Sequence, residues 1–297
     1  MKKKAKKSVY EIATEKIIAL LEEGTNPWQK PWTSIGGMPP MNYATKHPYR
    51  GINFFILSIL YEDPYFLTWN QIKKMGGSVR KGAKSEMVFF WSWIELNKDG
   101  KKCKPGEKVD KKIPFLRYYR VFNAPDIEGI EFEYPDQPEL KDHQKIAKCE
   151  AIVADTNATI ISKDKSGAYY SPLRDHINMP EIGQFNSPEQ YYSTLFHELT
   201  HWTGHESRLN RLRRDGKIAA FGDTEYSKEE LVAEMGASFL CFHTGIENKT
   251  INNSAAYLKA WIDVLKGDSK LVVQAAAAAQ KAVDLILGFA GGDEAGG

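Results

Sequence analysis

Tyr191-Tyr-Ser-Thr-Leu-Phe-His-Glu-Leu-Thr-His-Trp-Thr-Gly204 is the stretch on which the reading of this chain turns. Within it His197, Glu198 and His201 spell H-E-x-x-H. Side chains four residues apart share one face of a helix, so two imidazoles at this spacing can grip one metal ion. A catalytic zinc takes three protein ligands and keeps a fourth position for water, whose pKa it lowers towards neutrality. Glu198, one residue along from His197, can reach that water as general base. The pattern has three fixed positions and recurs by chance, so its context matters. Ser187-Pro-Glu-Gln190 reads as an N-cap, a first-turn proline and a capping-box glutamine, and Gly204 as a stop. Tyr192, Leu195, Phe196 and Leu199 supply an apolar face, and on so buried a helix the polar trio would be costly without a metal.

A third ligand has to come from elsewhere, and Ser227-Lys-Glu-Glu-Leu-Val-Ala-Glu-Met-Gly-Ala-Ser-Phe-Leu240 is the first helix beyond the motif. Glu230 and Glu234 are four apart on one face, while Leu231, Met235, Ser238 and Phe239 turn to other faces. The E-x-x-A-E pattern followed by small residues resembles the second helix of glutamate-zincins. That resemblance implies Glu230 as metal ligand and Glu234 as the group that orients a ligand histidine. Ser227-x-x-Glu230 also reads as a capping box, which would engage Glu230 and leave Glu234 as the ligand. The metzincin pattern is not met, because its later histidine would fall at Ser207. His205 lies off the ligand face and reads as structural or as a partner to a ligand.

The 297 residues suffice for two domains, and a 42% apolar and 26% charged composition is that of soluble globular proteins. The net charge of +2 hides an asymmetry: residues 1–121 carry +12 and the remainder −10. A basic half suggests a polyanionic partner. Three cysteines without a C-x-x-C pair argue against a disulfide framework and for a reducing compartment. Glu11, Thr14, Glu15 and Lys16 break up the segment after the lysine-rich start, so no secretory signal is expected. The longest apolar run, residues 52–61, is too short to span a bilayer.

In chain order, a basic tail leads to an amphipathic helix from Ser8 to about Gly24. Asn26-Pro-Trp-Gln-Lys-Pro-Trp32 comes next, setting Trp28 and Trp32 beside Lys30. Tyr43, Lys46, Tyr49, Arg50 and Asn53 share one loop leading into a helix over residues 52–61. Thr68-Trp69-Asn-Gln71 caps a short helix, and Arg80 and Lys81 form a basic turn. Aromatics interleaved with cations give each base a π-face and each phosphate a charge, which is what single-stranded nucleic acid needs. The bland alternative is that the tryptophans anchor a core. Residues 87–96 and 113–122 read as strands, with Arg117 and Arg120 on opposite faces by the period of two. Residues 123–140 hold six acids and no Lys or Arg, and are expected as an acidic linker. Beyond it come a helix at 141–151, a strand at 158–162 and two short edge strands within 168–180, the kind that hold an extended peptide by strand addition. After the two metal helices, 255–265 and 271–287 are helical, and 291–297 are expected to be disordered.

Phe196-His-Glu-Leu-Thr-His-Trp-Thr-Gly-His-Glu-Ser-Arg-Leu-Asn-Arg211, Phe221-Gly-Asp and Glu229-Glu-Leu-Val-Ala-Glu234 resemble the ArdC antirestriction family and its relatives in plasmid TraC proteins. Pro27-Trp28, Pro31-Trp32, Tyr49-Arg-Gly-Ile-Asn53 and Val79-Arg-Lys-Gly82 are similar to the N-terminal single-stranded-DNA-binding domain of that family. The resemblance covers nearly the whole chain. It implies a plasmid-borne cytoplasmic bacterial protein that accompanies transferred single-stranded DNA and protects incoming DNA from restriction.

The expected fold is α+β in two domains: a DNA-binding domain over 1–122 and a zincin-like metallopeptidase domain over 141–297. The expected cofactor is one divalent metal, zinc foremost, with manganese or another divalent ion compatible. The expected partners are single-stranded DNA and a protein or peptide substrate, with no membrane. Tyr226, His205 and Asp223 are candidate oxyanion stabilisers, and the sequence does not choose among them. Two rival readings are a DNA-coating protein with a structural or inactive metal site, and a plain metallopeptidase whose basic domain docks an acidic protein.

Overall fold

Helix α1 (Val9–Glu22) starts where the sequence places it: Ser8 Oγ accepts the Glu11 amide and the Glu11 carboxylate accepts the Ser8 amide. Its buried Ala13, Ile17, Ile18 and Leu21 form one helical stripe. Strands β1 (Met41–Asn42) and β2 (His47–Pro48) precede α2 (Gly51–Leu60), which is buried along almost its whole length. Then come β3 (Tyr65–Thr68), the short α3 (Trp69–Lys74) with its Thr68 and Gln71 capping box, and β4 (Ser78–Val79). This computed structural model describes residues 7–24, 26–27, 38–104, 106–135, 141–162, 167–214, 217–218, 224–248 and 255–289. The tail expected at 291–297 lies outside them.

Strands β5 (Glu86–Leu96) and β6 (Lys111–Asn123) complete a five-stranded sheet of order β2-β1-β3-β6-β5. They pair without a slip from Glu86 opposite Val121 to Leu96 opposite Lys111, whereas β3 reaches only Val121, Phe122 and Asn123. The rest of the hairpin is therefore a two-stranded ribbon, packed at its base through the buried Val88 and Phe89. Arg117 stands opposite Phe90 and Arg120 opposite Met87, so they take opposite faces as the period of two requires. Asn53 of α2 closes the outer edge of β5: its side chain donates to Phe89 O and accepts the Phe89 amide, both at 2.6 Å.

The acidic segment is not a free linker over its described part. β7 (Ile127–Glu128) pairs with β4, while Ile130 and Phe132 pack beside the buried Tyr43, Tyr65 and Ile72. The Tyr134 hydroxyl bonds Asp63. Burying these apolar residues outweighs the solvation of the acids between them, which stay outside. Residues 136–140 lie outside the described residues.

Helix α4 (Asp142–Asp155) opens the second half, followed by β8 (Thr159–Ile161), β9 (Tyr169–Ser171) and β10 (His176–Asn178). Only β9 of the expected pair is an edge strand. β10 is central, antiparallel to β9 and parallel to β8, and all three of its residues are buried. Helix α5 (Pro188–Thr203), the two-residue strands β11 (Arg213–Arg214) and β12 (Lys217–Ile218), α6 (Thr224–Thr244), α7 (Ala255–Gly267) and α8 (Leu271–Ile286) complete the chain order. Among the described residues no helix is long and apolar enough to cross a membrane.

One core joins the two halves. Ile17 and Leu21 of α1 and Phe55 and Ile59 of α2 belong to the same cluster as Phe196 and Leu199 of α5, Met235 and Phe239 of α6, and Val272 and Ala276 of α8. Polar contacts reinforce it: Thr14 Oγ1 donates to Ser269 O at 2.7 Å, the Gly51 amide to Gln280 Oε1 at 3.0 Å, and Arg50 pairs with Asp284.

Candidate metal centre and nucleic-acid face

Ser187 Oγ accepts the Gln190 amide and Pro188 occupies the first turn, so α5 starts as expected. The Gln190 side chain accepts from Asn186, one residue before the cap. Helix α6 crosses α5 closely because position 236 has no side chain. A Cβ at Gly236 would come within 2.5 Å of the Thr200 side chain, which is buried and bonded back to Phe196 O. That approach carries Glu230, six residues earlier on α6, to the histidines.

His197 Nε2 and His201 Nε2 lie 3.1 Å apart, with Glu230 Oε2 3.6 Å from the first and Oε1 3.5 Å from the second. Among the described residues these three form a cluster of potential metal donors. Ligands held at about 2.0–2.2 Å around a tetrahedral ion sit about 3.3–3.6 Å from one another, so this triangle fits one divalent ion. Two imidazoles and a carboxylate are also a donor set that zinc accepts. Helix α6 begins three residues before Ser227, so Ser227 is inside the helix and the alternative capping-box reading of Glu230 fails.

A residue the sequence reading passed over holds the histidine. Glu229 Oε1 is 3.3 Å from His201 Nδ1, which fixes the tautomer whose Nε2 faces the cluster. Arg211 grips Glu229 through two bonds of 2.9 and 3.1 Å, and is itself fixed by Thr200 O and Thr203 Oγ1 on the last turn of α5. Gly204 is the helix cap as expected, with φ −77°, so it is not needed for left-handed backbone. It is needed for space: a Cβ there would lie 2.9 Å from Leu212 and 3.1 Å from Arg211 Nη2.

Charge couples the group. Burial works against protonating His201, but the hydrogen bonds to Glu229 and then Glu230 outweigh it and push its pKa to about 10. His197 is raised in the same way, with Glu230 overcoming burial. Burial would raise Glu230 and Glu229, yet bonds to the histidines, and to Arg211 for Glu229, hold both below the usual carboxylate range. Such a site prefers net positive charge, which protons or a cation can supply. Glu198 is buried, and its carboxylate acts on both histidines. Glu234 is buried further along α6 and acts electrostatically on His197, outside the donor triangle. His205 Nδ1 accepts the Ser207 amide in the turn after α5, a structural role. Asp223 lies outside the described residues, as does the side chain of Tyr226.

The DNA candidates divide. Trp28, Lys30 and Trp32 lie outside the described residues. Tyr43 and Tyr49 are buried, the first against Tyr65 and Phe132 and the second against Phe66, so neither offers a free ring face. Lys46 covers the Tyr43 ring at 3.4 Å, Arg50 is paired with Asp284, and Asn53 serves the β5 edge. Four of the five loop residues are thus committed to the core, to the β5 edge or to helix α8, because the same aromatic and polar character that suits a base also suits packing. Trp69, Arg80 and Lys81 remain exposed, with Arg80 3.4 Å from Glu128.

Known proteins resemble both halves of the chain. Residues 7–122 match the model of the N-terminal domain of anti-restriction factor ArdC, and residues 147–278 that of a zincin-like metallopeptidase. The chain is 35% identical to a DNA primase TraC of Escherichia coli over 96% of its length, but spans only 27% of that protein. An uncharacterized protein of Sinorhizobium fredii, y4eC, is 30% identical, with 93% of this chain and 90% of that protein aligned. The crystal structure of metal-free antirestriction protein ArdC from plasmid R388 superposes with a TM-score of 0.74 at 38% identity, covering 95% of this chain and 97% of that one. The Mn(II)-bound form gives 0.75 at 37%, covering 95% and 98%. By motif, fold and likeness along nearly its whole length, the chain belongs to the ArdC family of antirestriction proteins.

Proposed function

We propose that this protein binds single-stranded DNA through residues 1–122 and cleaves peptide bonds at a divalent-metal site within residues 141–297, protecting incoming plasmid DNA during conjugation in the bacterial cytoplasm. The observation that carries the reading is the convergence of His197, His201 and Glu230 beside the buried Glu198. His197, His201 and Glu230 would hold the ion; zinc suits the donors, and the Mn(II)-bound relative makes manganese a second candidate. When bound, such an ion supplies the Lewis acidity that polarises a peptide carbonyl and acidifies water. Glu198 takes a proton from the attacking water and passes it to the leaving amine. Glu229, held by Arg211, keeps His201 in one tautomer. The edge of β9, packed against α5, can hold an extended substrate by strand addition.

The test is Glu198→Gln in the full chain loaded with zinc or manganese, assayed on casein with and without single-stranded DNA. Bound metal and melting temperature should be kept while hydrolysis falls by about 10²–10⁴. Undiminished hydrolysis would remove Glu198 from the reaction. A wild-type protein that binds DNA and metal but never hydrolyses would favour the DNA-coating alternative.

A further inference from the structure

We propose that the DNA strand runs along one face of the β5–β6 ribbon, stacking bases on Trp69, Tyr118 and Trp93 and placing phosphates on Arg120 and the turn over residues 80–84. This rests on the single-stranded-DNA reading above and moves its interface away from the buried loop tyrosines. The unbroken register puts Phe122, Arg120 and Tyr118 on one face of β6, and Trp93, opposite Pro114, on the same face of β5. Trp69 continues the row, its ring 6.1 Å from Phe122. Trp69, Tyr118 and Trp93 are 50%, 40% and 45% exposed, which leaves ring surface for a base. From Pro114 to Phe122 the row runs roughly 27 Å at ~3.4 Å per residue, long enough for several nucleotides.

Charge matches the same face. Lys73 lies 5.2 Å over Trp69, and Arg120 Nη1 donates to Ser85 Oγ at 3.0 Å, which ties the end of the basic turn to the ribbon. Between Trp69 and Glu86 the chain carries five Lys and Arg against one carboxylate, Glu86, which is buried against Lys16. Both faces also pack within the chain: on this one Phe89, opposite Tyr118, is buried in the core, and on the other Arg117 covers Phe115 at 4.8 Å and Tyr119, 45% exposed, packs on Phe90 at 5.5 Å; the row of exposed rings that reaches the basic turn lies on the first. Aromatic platforms spaced among cations suit unpaired bases on a polyanion, whereas a duplex hides its base faces in the stack.

The experiment titrates the full-length protein into fluorescein-labelled oligothymidylate and follows anisotropy over a range of salt. Trp93→Ala and Tyr118→Ala should each weaken binding about 5- to 150-fold at every salt concentration. Arg120→Ala should flatten the log–log salt slope by about 0.7. Tyr119→Ala, on the opposite face, should change affinity by less than about twofold, and matched melting temperatures exclude misfolding. Wild-type binding that all four variants retain would place the strand elsewhere and overturn the ribbon while leaving the DNA reading intact. No binding by the wild type would end both. Tighter binding to the matching duplex, or to poly-glutamate, would overturn the ribbon in favour of a groove-reading or protein-docking surface.

Discussion

Glu229 shows what one helix position decides. It and Glu230 are neighbours on α6, yet one lies against Nδ1 of His201 and the other against its Nε2, the nitrogen that faces the donor cluster. Glu229→Ala should therefore lower metal affinity by about 10- to 100-fold, as losing a ligand's supporting bond does, and Glu230→Ala should cost more because it removes a ligand. Chelator competition against zinc gives both numbers, and a larger loss from Glu234→Ala than from Glu229→Ala would reverse the assignment. His197, Glu198 and His201 were legible because their relation is set by one helical turn. The placement of Glu230 beside the histidines was legible from the family pattern, although a capping box at Ser227 competed for it in the sequence. Glu229 and Arg211 were not legible, since their roles depend on how α5 and α6 cross and on where the chain returns after Gly204.

At the level of elements, the close crossing of α5 and α6 is the device that builds the site. Gly236→Ala puts a methyl against Thr200 in a packed interface, which should destabilise the protein by about 1–3 kcal/mol and pull Glu230 off the histidines. Adding Thr200→Ala should recover part of both losses, a coupling of about 0.5–3 kcal/mol in a double-mutant cycle. Calorimetry and metal titration of the four proteins check this, and a Gly236→Ala variant with wild-type melting and affinity would show that the contact does not place Glu230. Helices and the long hairpin were readable from caps and alternation. The acidic segment reads as a linker from its charges, yet the apolar beat of Ile127, Ile130, Phe132 and Tyr134 packs its described part onto the first half. Strand order was beyond reach too, as nothing local to β10 announces that β8 will pair with it.

For the whole molecule, chain length suggests two domains and the contrast of +12 and −10 a polyanionic partner for the first, but charge describes surfaces, and the largest core cluster is shared by both halves. Residues 1–122 alone would expose the faces of α1 and α2 that pack on α7 and α8. That fragment should bind a hydrophobic dye and melt without cooperativity, whereas the full chain should melt in one transition; a cooperative melt of the fragment would show that the basic half carries a sufficient core of its own. Asn53 adds something different to the assembled molecule. By taking both the amide and the carbonyl of Phe89, it occupies the margin of the sheet where a strand from a neighbouring molecule would otherwise add. Open strand margins template aggregation, and a side chain that imitates a strand removes the template at the root of the hairpin. On the DNA strand proposed above, molecules bound side by side would then be kept from zipping into one another at that margin.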